Sequence, residues 1–355
     1  MSGLSGPVLV VGAGLLGTSV ALACRRAGIE VLLADHNAEH LRTATGLGAG
    51  RPLVPGDRPQ LVVVAVSPDS LGQVVADALS TGAAVTDVGS VKTRPLAEVA
   101  SLVGPDVLVR YVGSHPMAGS ERSGPLASHP ALFDGRPWAI TPHDTSDPAA
   151  VDLVEALVRI CGGVAVRLTP EEHDRAVART SHLPHLMSAL VAGRLADAPS
   201  EHLALSGQGV RDVTRVAASD PALWQQILTA NSDAVLDLLD EVREQLDHLR
   251  VAVQAGHRDD LGALLARGVA GTRAIPGKHG GPAVEMASVF VTVPDHPGNL
   301  ARLFADCAEA GINVEDVRID HDPGRPYGLL ELVVAAGSED RVTDSLESRG
   351  WTTQR

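Results

Sequence analysis

Aromatic residues are almost missing from this chain. Phe, Tyr and Trp make up 2% of 355 residues, while hydrophobic residues of all kinds make up 45%. Any core must therefore be built from Leu, Val and Ala. Cysteine is scarce too. Cys24, Cys161 and Cys307 lie far apart, are odd in number and form no Cys-x-x-Cys pair. That excludes a disulfide framework and reads as free, buried thiols in a reducing cytosol. There is no basic-then-apolar leader pattern at the start, and no apolar run approaches the roughly 20 residues of a membrane span. The expectation is a soluble, cytoplasmic protein. Positive charge is short as well: 29 Lys and Arg stand against 43 Asp and Glu, a net charge of −14. Nucleic acid and anionic membrane are poor partners for such a surface. An anionic small molecule would need a local cationic pocket.

What is present falls into three patterns. The length suits two or three domains, and there is no internal repeat or low-complexity tract. Up to residue 168, short β-rich runs alternate with helical patterns: Val8–Gly12, Glu30–Asp35, Leu61–Val66, Ala84–Asp87, Leu108–Gly113, Trp138–Thr141 and Ala165–Leu168. This is the signature of an α/β fold with a parallel sheet covered by helices. Residues 169–274 read as all-helical, with apolar positions from Leu223 to Val253 spaced as one long helix over Pro221–Val253. Residues 275–286 are rich in Gly and Pro and read as a linker. Residues 287–355 alternate as βαββαβ, a ferredoxin-like module of about 70 residues.

The first strand runs straight into Gly12-Ala-Gly14-Leu15-Leu16-Gly17. Gly12 permits a tight turn, Gly14 lets the backbone approach a pyrophosphate, and Gly17 allows close helix–strand packing. The helix opening at Leu15 and Leu16 then offers amide groups and a positive dipole end to phosphates. Asp35 ends the second strand, where a carboxylate can accept hydrogen bonds from ribose hydroxyls. Its charge disfavours the extra phosphate of NADP, and His36-Asn37 brings no arginine to hold it, so NAD is the expected cofactor. Ser67, just past the strand ending at Val66, completes the candidate contacts. A bare βα turn with a surface aspartate is the bland alternative, and the joint spacing weighs against it.

Ligands of open parallel sheets sit beyond the carboxyl ends of the strands. Asp87-Val-Gly-Ser90-Val-Lys92 and Gly113-Ser-His115-Pro-Met-Ala-Gly119-Ser120-Glu121 both fall there. An imidazole titrates near neutrality, so His115 is a natural general base for a hydroxyl proton as hydride leaves. A satisfied structural histidine is the weaker alternative. Ser90, at a strand-to-helix turn, can cap its helix or bond the reacting hydroxyl.

Four motifs, Gly89-Ser90-Val91-Lys92, His115-Pro-Met-Ala-Gly119, Ser181-His182-Leu-Pro-His185 and Arg211-Asp212-Val-Thr-Arg215, occur in an order and spacing that resembles the prephenate dehydrogenases. The resemblance covers about the first 280 residues. It implies an oxidative decarboxylation. The ring C4 hydroxyl of prephenate yields its proton to His115 and its hydride to NAD, the ring carboxylate leaves as carbon dioxide, and 4-hydroxyphenylpyruvate remains. Ser90 would orient the base and the hydroxyl. Arg215 would grip a substrate carboxylate, as a guanidinium can through two parallel bonds; an ion pair with Asp212 or Asp220 is the alternative. Gln208, Arg211, His185 and Trp224 match pocket positions, and Ser120-Glu121 stands where the family often has Thr-Glu. His182 reads as a packing group. His182 and His185 have no evident third ligand, and the resemblance implies no metal. Arogenate, which carries an amino group in place of the keto group, is the alternative substrate. A hydroxyacid dehydrogenase built on a nucleotide and a helical domain, and a catalytically silent regulator, are the competing readings.

Val291-Thr-Val-Pro-Asp-His-Pro-Gly298-Asn299-Leu300 resembles the opening of an ACT domain, the small amino-acid-sensing module. That likeness implies side-by-side pairing and an effector site at Gly298, Asn299, Asn313 and Val314, with tyrosine as the effector; a module that serves assembly alone is the alternative. A homodimer is expected.

Overall fold

The computed structural model describes residues 3–119, 123–275, 285–320 and 326–354. The chain divides into two compact units, residues 1–247 and 248–355.

The first unit is organised by a five-stranded parallel sheet. In chain order its elements are β1 (Val8–Val11), α1 (Leu15–Arg26), β2 (Val31–Ala34), α2 (Ala38–Gly46), β3 (Arg51–Pro52), β4 (Leu61–Val64), α3 (Pro68–Leu79), β5 (Ala84–Asp87) and α4 (Thr93–Leu102). The strand order is β3-β2-β1-β4-β5. All four residues of β4 are buried, as its unbroken Leu-Val-Val-Val run requires of a strand covered on both faces. Chain connections leave β1 and β4 in opposite directions, so a crevice opens beyond their carboxyl ends. Two apolar clusters pack the two faces. One includes Val10, Val20, Val63, Trp138 and Leu157, the other Leu9, Val62, Val64, Leu71 and Val85.

Beyond β5 the parallel pattern stops. The strand expected at Leu108–Gly113 is shifted. Pro105 is pre-set for a first helical turn, and Pro105–Leu108 forms one. Only Tyr111 then bridges Val85. The next strand, β6 (Gly113–Pro116), pairs antiparallel with β7 (Pro137–Thr141), which pairs parallel with β8 (Val164–Arg167).

Helices follow. Thr169 and Glu172 form a reciprocal capping box that starts the helix Pro170–Val177. A wide turn, Ala178–His182, leads into Leu183–Gly193 with Pro184 in its first turn. The single long helix expected over Pro221–Val253 is two, Pro221–Ala230 and Ser232–Ala255, broken at Asn231. Asn231 is buried and spends its side chain on other segments. Large apolar side chains stand exposed on these helices, among them Leu190, Leu236 and Leu246. Among the described residues no helix is long and apolar enough to cross a membrane.

The second unit carries a four-stranded antiparallel sheet of β9 (Met286–Pro294), β10 (Asp316–Asp320), β11 (Tyr327–Ala335) and β12 (Thr352–Gln354), ordered β10-β11-β9-β12. Helices Asn299–Glu309 and Glu339–Glu347 complete a βαββαβ order. Alternate residues Val289, Val291 and Val293 of β9, and Leu330, Leu332 and Val334 of β11, face Leu303, Val342 and Leu346. One face is therefore dry and the other wet. Most of the expected linker lies outside the described residues.

Candidate active site

The turn after β1 has the geometry its glycines allow. Gly12 holds φ at +100°, and a Cβ there would stand 2.3 Å from the Ala65 carbonyl oxygen. A Cβ on Gly17 would stand 1.9 Å from the Gly12 carbonyl oxygen, so both positions are closed to any side chain. Gly14 differs: nothing lies within 4 Å of its would-be Cβ. It is the N-cap of α1 and gives that helix no side-chain cap. An open approach to an uncapped helix start, lined by Leu15 and Leu16, fits a pyrophosphate. Asp35 accepts the Ala13 amide at 2.6 Å and the Asn37 amide at 2.7 Å. One oxygen thus ties the glycine turn to the end of β2, the other holds the chain just past it, and each keeps a second lone pair for ribose hydroxyls. The His36 and His40 Nδ1 atoms stand 3.4 and 3.9 Å from this carboxylate. Ser67 is exposed at the N-cap of α3.

A cavity of about 550 Å³ brings together Ser90, His115, Ser181, Leu223, Trp224 and Ile227. His115 arrives on β6 and Ser90 on the turn before α4. Trp224 comes from the helix Pro221–Ala230, on which the ring of His185 stacks at 3.6 Å with planes 5° apart. His182 is buried, meets Trp224 edge-on at 6.0 Å, and lies 3.2 Å from the Asn231 amide nitrogen. Ser90 does not cap α4. The N-cap is Lys92, without a side-chain bond, and Asp174 serves that helix end from elsewhere.

Beneath the cavity lies a buried polar cluster that sequence reasoning did not assemble. Asp87 accepts from the Lys92 ammonium, from the Gly89 amide at 2.8 Å and from the Tyr111 hydroxyl at 2.8 Å. Lys92 also donates to the Ser114 carbonyl at 2.7 Å. Burial pulls the Lys92 pKa down against the pull of Asp87, and burial raises the Tyr111 hydroxyl well above its usual range. Asp174 accepts the backbone amides of Lys92 and Thr93, each at 2.8 Å, and faces His173 Nδ1 at 2.8 Å. Burial would push the Asp174 carboxyl up, but its bonds from His173 and Thr93 outweigh that and hold it low. His173 Nε2 in turn stands 3.0 Å from His115 Nδ1. Burial, with His173 and Lys92 as neighbours, depresses His115 well below 6.5. Burial likewise lowers His173, His185 and His182, the last to about 4. A neutral imidazole at the wall of a cavity is able to take a proton.

A family model described as the prephenate dehydrogenase nucleotide-binding domain matches residues 20–167, and one described as the prephenate dehydrogenase dimerization domain matches residues 169–267. A probable prephenate dehydrogenase of Streptomyces niveus is 36% identical over 97% of this chain and 98% of its own. The chain belongs to the prephenate dehydrogenase family. The prephenate dehydrogenase of Bacillus subtilis is 30% identical over 98% of both chains. Among solved structures, the prephenate dehydrogenase of A. aeolicus in complex with hydroxyphenyl propionate and NAD+ superimposes with a TM-score of 0.66. It is 29% identical over 73% of this chain and 94% of that one. Synechocystis arogenate dehydrogenase gives a TM-score of 0.63 at 26% identity, over 73% of this chain and 96% of its own.

Against the family pattern, the fold gathers some expected site residues and not others. Ser90, His115 and Trp224 line one cavity, with His185 stacked on its wall. Arg215 opens a short 3-10 turn, Arg215–Ala218, and is exposed, while its neighbour Val216 lines the cavity. Arg211 is exposed on Gln208–Thr214, and Gln208 donates to Asp212 at 2.8 Å. Asp220, an alternative ion-pair partner for Arg215, caps the next helix through the Ala222 amide at 2.9 Å. Ser120 and Glu121 lie outside the described residues. His173, Asp174 and Asn231 were not singled out, and Ser181, named only within a motif, was given no role. The capping box at Thr169 marks the helix carrying His173 and Asp174, but nothing local says which face is buried.

Proposed function

We propose that this chain catalyses the NAD-dependent oxidative decarboxylation of prephenate to 4-hydroxyphenylpyruvate in the cytoplasmic synthesis of tyrosine. The single observation that carries the chemistry is His115, held neutral at the wall of the cavity that also holds Ser90 and Trp224. His115 takes the C4 hydroxyl proton, and Ser90 bonds that hydroxyl and directs it to the base. Bound NAD supplies the hydride acceptor at the carboxyl ends of β1 and β4. Gly12, Gly14 and Gly17 shape the turn for its pyrophosphate, the amides of Leu15 and Leu16 face its phosphates, and Asp35 and Ser67 hold the adenosine half. Loss of the ring carboxylate as carbon dioxide leaves its electron pair in the ring, which becomes aromatic. Arg215 grips a carboxylate of the substrate, answering the charge problem set by −14 overall. His185 and Trp224 wall the substrate side chain, with Gln208, Arg211, Ser120 and Glu121 around it. Support for His185 comes from its ring, stacked on Trp224 at 3.6 Å.

The test is absorbance at 340 nm with prephenate and NAD, wild type against His115→Asn. The variant is expected to lose activity by about a thousandfold, within the range of general-base contributions. Full activity would remove His115 from the role. Arogenate is the second reading, and steady-state kinetics with both compounds separates them.

The protein works as a homodimer through the helical region 169–274, whose exposed Leu190, Leu236 and Leu246 need a cover. Residues 1–168 form the nucleotide domain, 275–286 the linker and 287–355 an ACT module that senses tyrosine. In that module Gly298 holds φ at +92° at the start of a helix, with open space beside it. Asn299 donates to the Pro294 carbonyl at 3.0 Å. Asn313 pairs with Glu315, and Val314 packs on the sheet core. Tyrosine below millimolar levels should depress activity, and removal of the residues after Met286 should abolish that response. Equal inhibition of the truncated enzyme would exclude the module as the sensor.

A further inference from the structure

A histidine base works from one of its two neutral tautomers only, and the chain of bonds behind His115 selects which. Asp174 is the fixed end. Backbone amides of Lys92 and Thr93 hold its two oxygens at 2.8 Å each, and an ionised carboxylate has no proton to give. The proton between Asp174 and His173 therefore sits on His173 Nδ1, 2.8 Å away. A neutral His173 then presents a bare Nε2. That atom is 3.0 Å from His115 Nδ1, so His115 must donate there. The remaining nitrogen of His115, Nε2, keeps its lone pair, and His115 borders the cavity. An imidazole in water prefers the opposite form, with the proton on Nε2. The Lys92 ammonium is engaged by Asp87 and the Ser114 carbonyl and competes for neither histidine.

We propose that His173 and Asp174 are positioning residues that lock His115 in the Nδ1–H tautomer, freeing Nε2 to accept the hydroxyl proton. They also stabilise the imidazolium that results, because its Nδ1–H points at a bare nitrogen backed by a carboxylate. The same division of labour between a histidine and its carboxylate partner operates in hydrolase triads. The kinetic part rests on the base assignment given under the proposed function. The tautomer part does not.

The experiment uses the full chain with 15N-labelled histidine. Two-bond 1H–15N correlations at neutral pH report each ring's tautomer, with the His115 signals identified by their loss in His115→Gln. His115 is expected as Nδ1–H in the wild type and as Nε2–H or a mixture in His173→Leu. With prephenate, His173→Leu should lower kcat about a hundredfold and move KM less than about threefold, as expected when a base is misdirected. His173→Gln places an amide oxygen where Nε2 was, and should regain about tenfold of that loss. Finding His115 as Nε2–H in the wild type overturns the proposal, as does a kcat within about twofold of wild type in His173→Leu. If the leucine variant does not fold, the wild-type spectrum and the glutamine variant decide. A wild type inactive on prephenate but showing the Nδ1–H form would sink the substrate reading and leave the tautomer lock standing.

Discussion

The cofactor turn and the polar cluster under the cavity are built by opposite means. At the turn, the decisive residues lie between Val8 and Asp35, with the Ala65 backbone closing over Gly12, and sterics do the work: two glycines closed to a Cβ, one left open. Under the cavity, Asp87, Lys92, His115, His173, Asp174 and Asn231 come from four separated segments of the chain and are held by hydrogen bonds from side chains to distant backbone and to one another. A steric device is local and tolerates change around it. A buried polar device is distributed, and each member left unpaired costs the full desolvation of its partner.

Substitutions on both sides sharpen that contrast, and the largest effect belongs to the cluster. Lys92→Met leaves the Asp87 carboxylate buried with only the Gly89 amide and the Tyr111 hydroxyl. It should cost about 3–5 kcal/mol in urea unfolding, the usual penalty for orphaning one buried charge. The double change with Asp87→Asn should cost less than the two singles summed; strict additivity would deny that they act as a pair.

At the turn, Gly17→Ala should cost about 1–3 kcal/mol of stability, since its Cβ would be driven into backbone. Gly14→Ala should leave the thermal midpoint within about 1–2 °C while weakening NAD binding tenfold or more, because its Cβ meets nothing in the protein and fills the phosphate approach. Unchanged NAD affinity in Gly14→Ala would place the cofactor elsewhere.

Acid should act on the cluster and spare the turn. His182 titrates at about 4 against an ordinary 6.5, chiefly through burial. Between those values the unfolded chain binds a proton that the folded chain refuses, so stability falls as pH drops from 6.5 towards 4 and levels off below. His182→Gln should flatten that part of the profile, removing up to about 3 kcal/mol of pH-dependent difference. A profile unaltered by the substitution would mean that His182 titrates alike in the folded and unfolded chain. The smallest effect is Asn231→Ala, about 1–2 kcal/mol for a buried amide bonded to the Asp174 carbonyl and to His182.

The same contrast explains what could be read from the sequence. The Gly12–Gly17 turn, its strand and the carboxylate of Asp35 were legible because each is specified within one βαβ segment. Ser90 and His115 were legible as strand-end residues, and Trp224 through the family pattern. Two elements were misread for one reason. Apolar spacing ran through Leu108–Gly113 and through Pro221–Val253, but Pro105 diverts the first into a helical turn and Asn231 breaks the second helix. Periodicity reports which face is greasy and is silent on a single polar residue that leaves its own helix to bond another segment. His173 and Asp174 were invisible for the same cause: their partners lie 58 and 82 positions away.

The capping of α4 by Asp174 has a practical consequence for anyone cutting this chain. A fragment ending at Leu168 contains every strand of the nucleotide half, yet it lacks the acceptor for the Lys92 and Thr93 amides. Such a fragment would begin α4 with two bare donors and carry His115 with its Nδ1 turned to solvent. Chimaeras that exchange the nucleotide half between relatives should take residues through Asp174, so that a helix and its borrowed lid are inherited together.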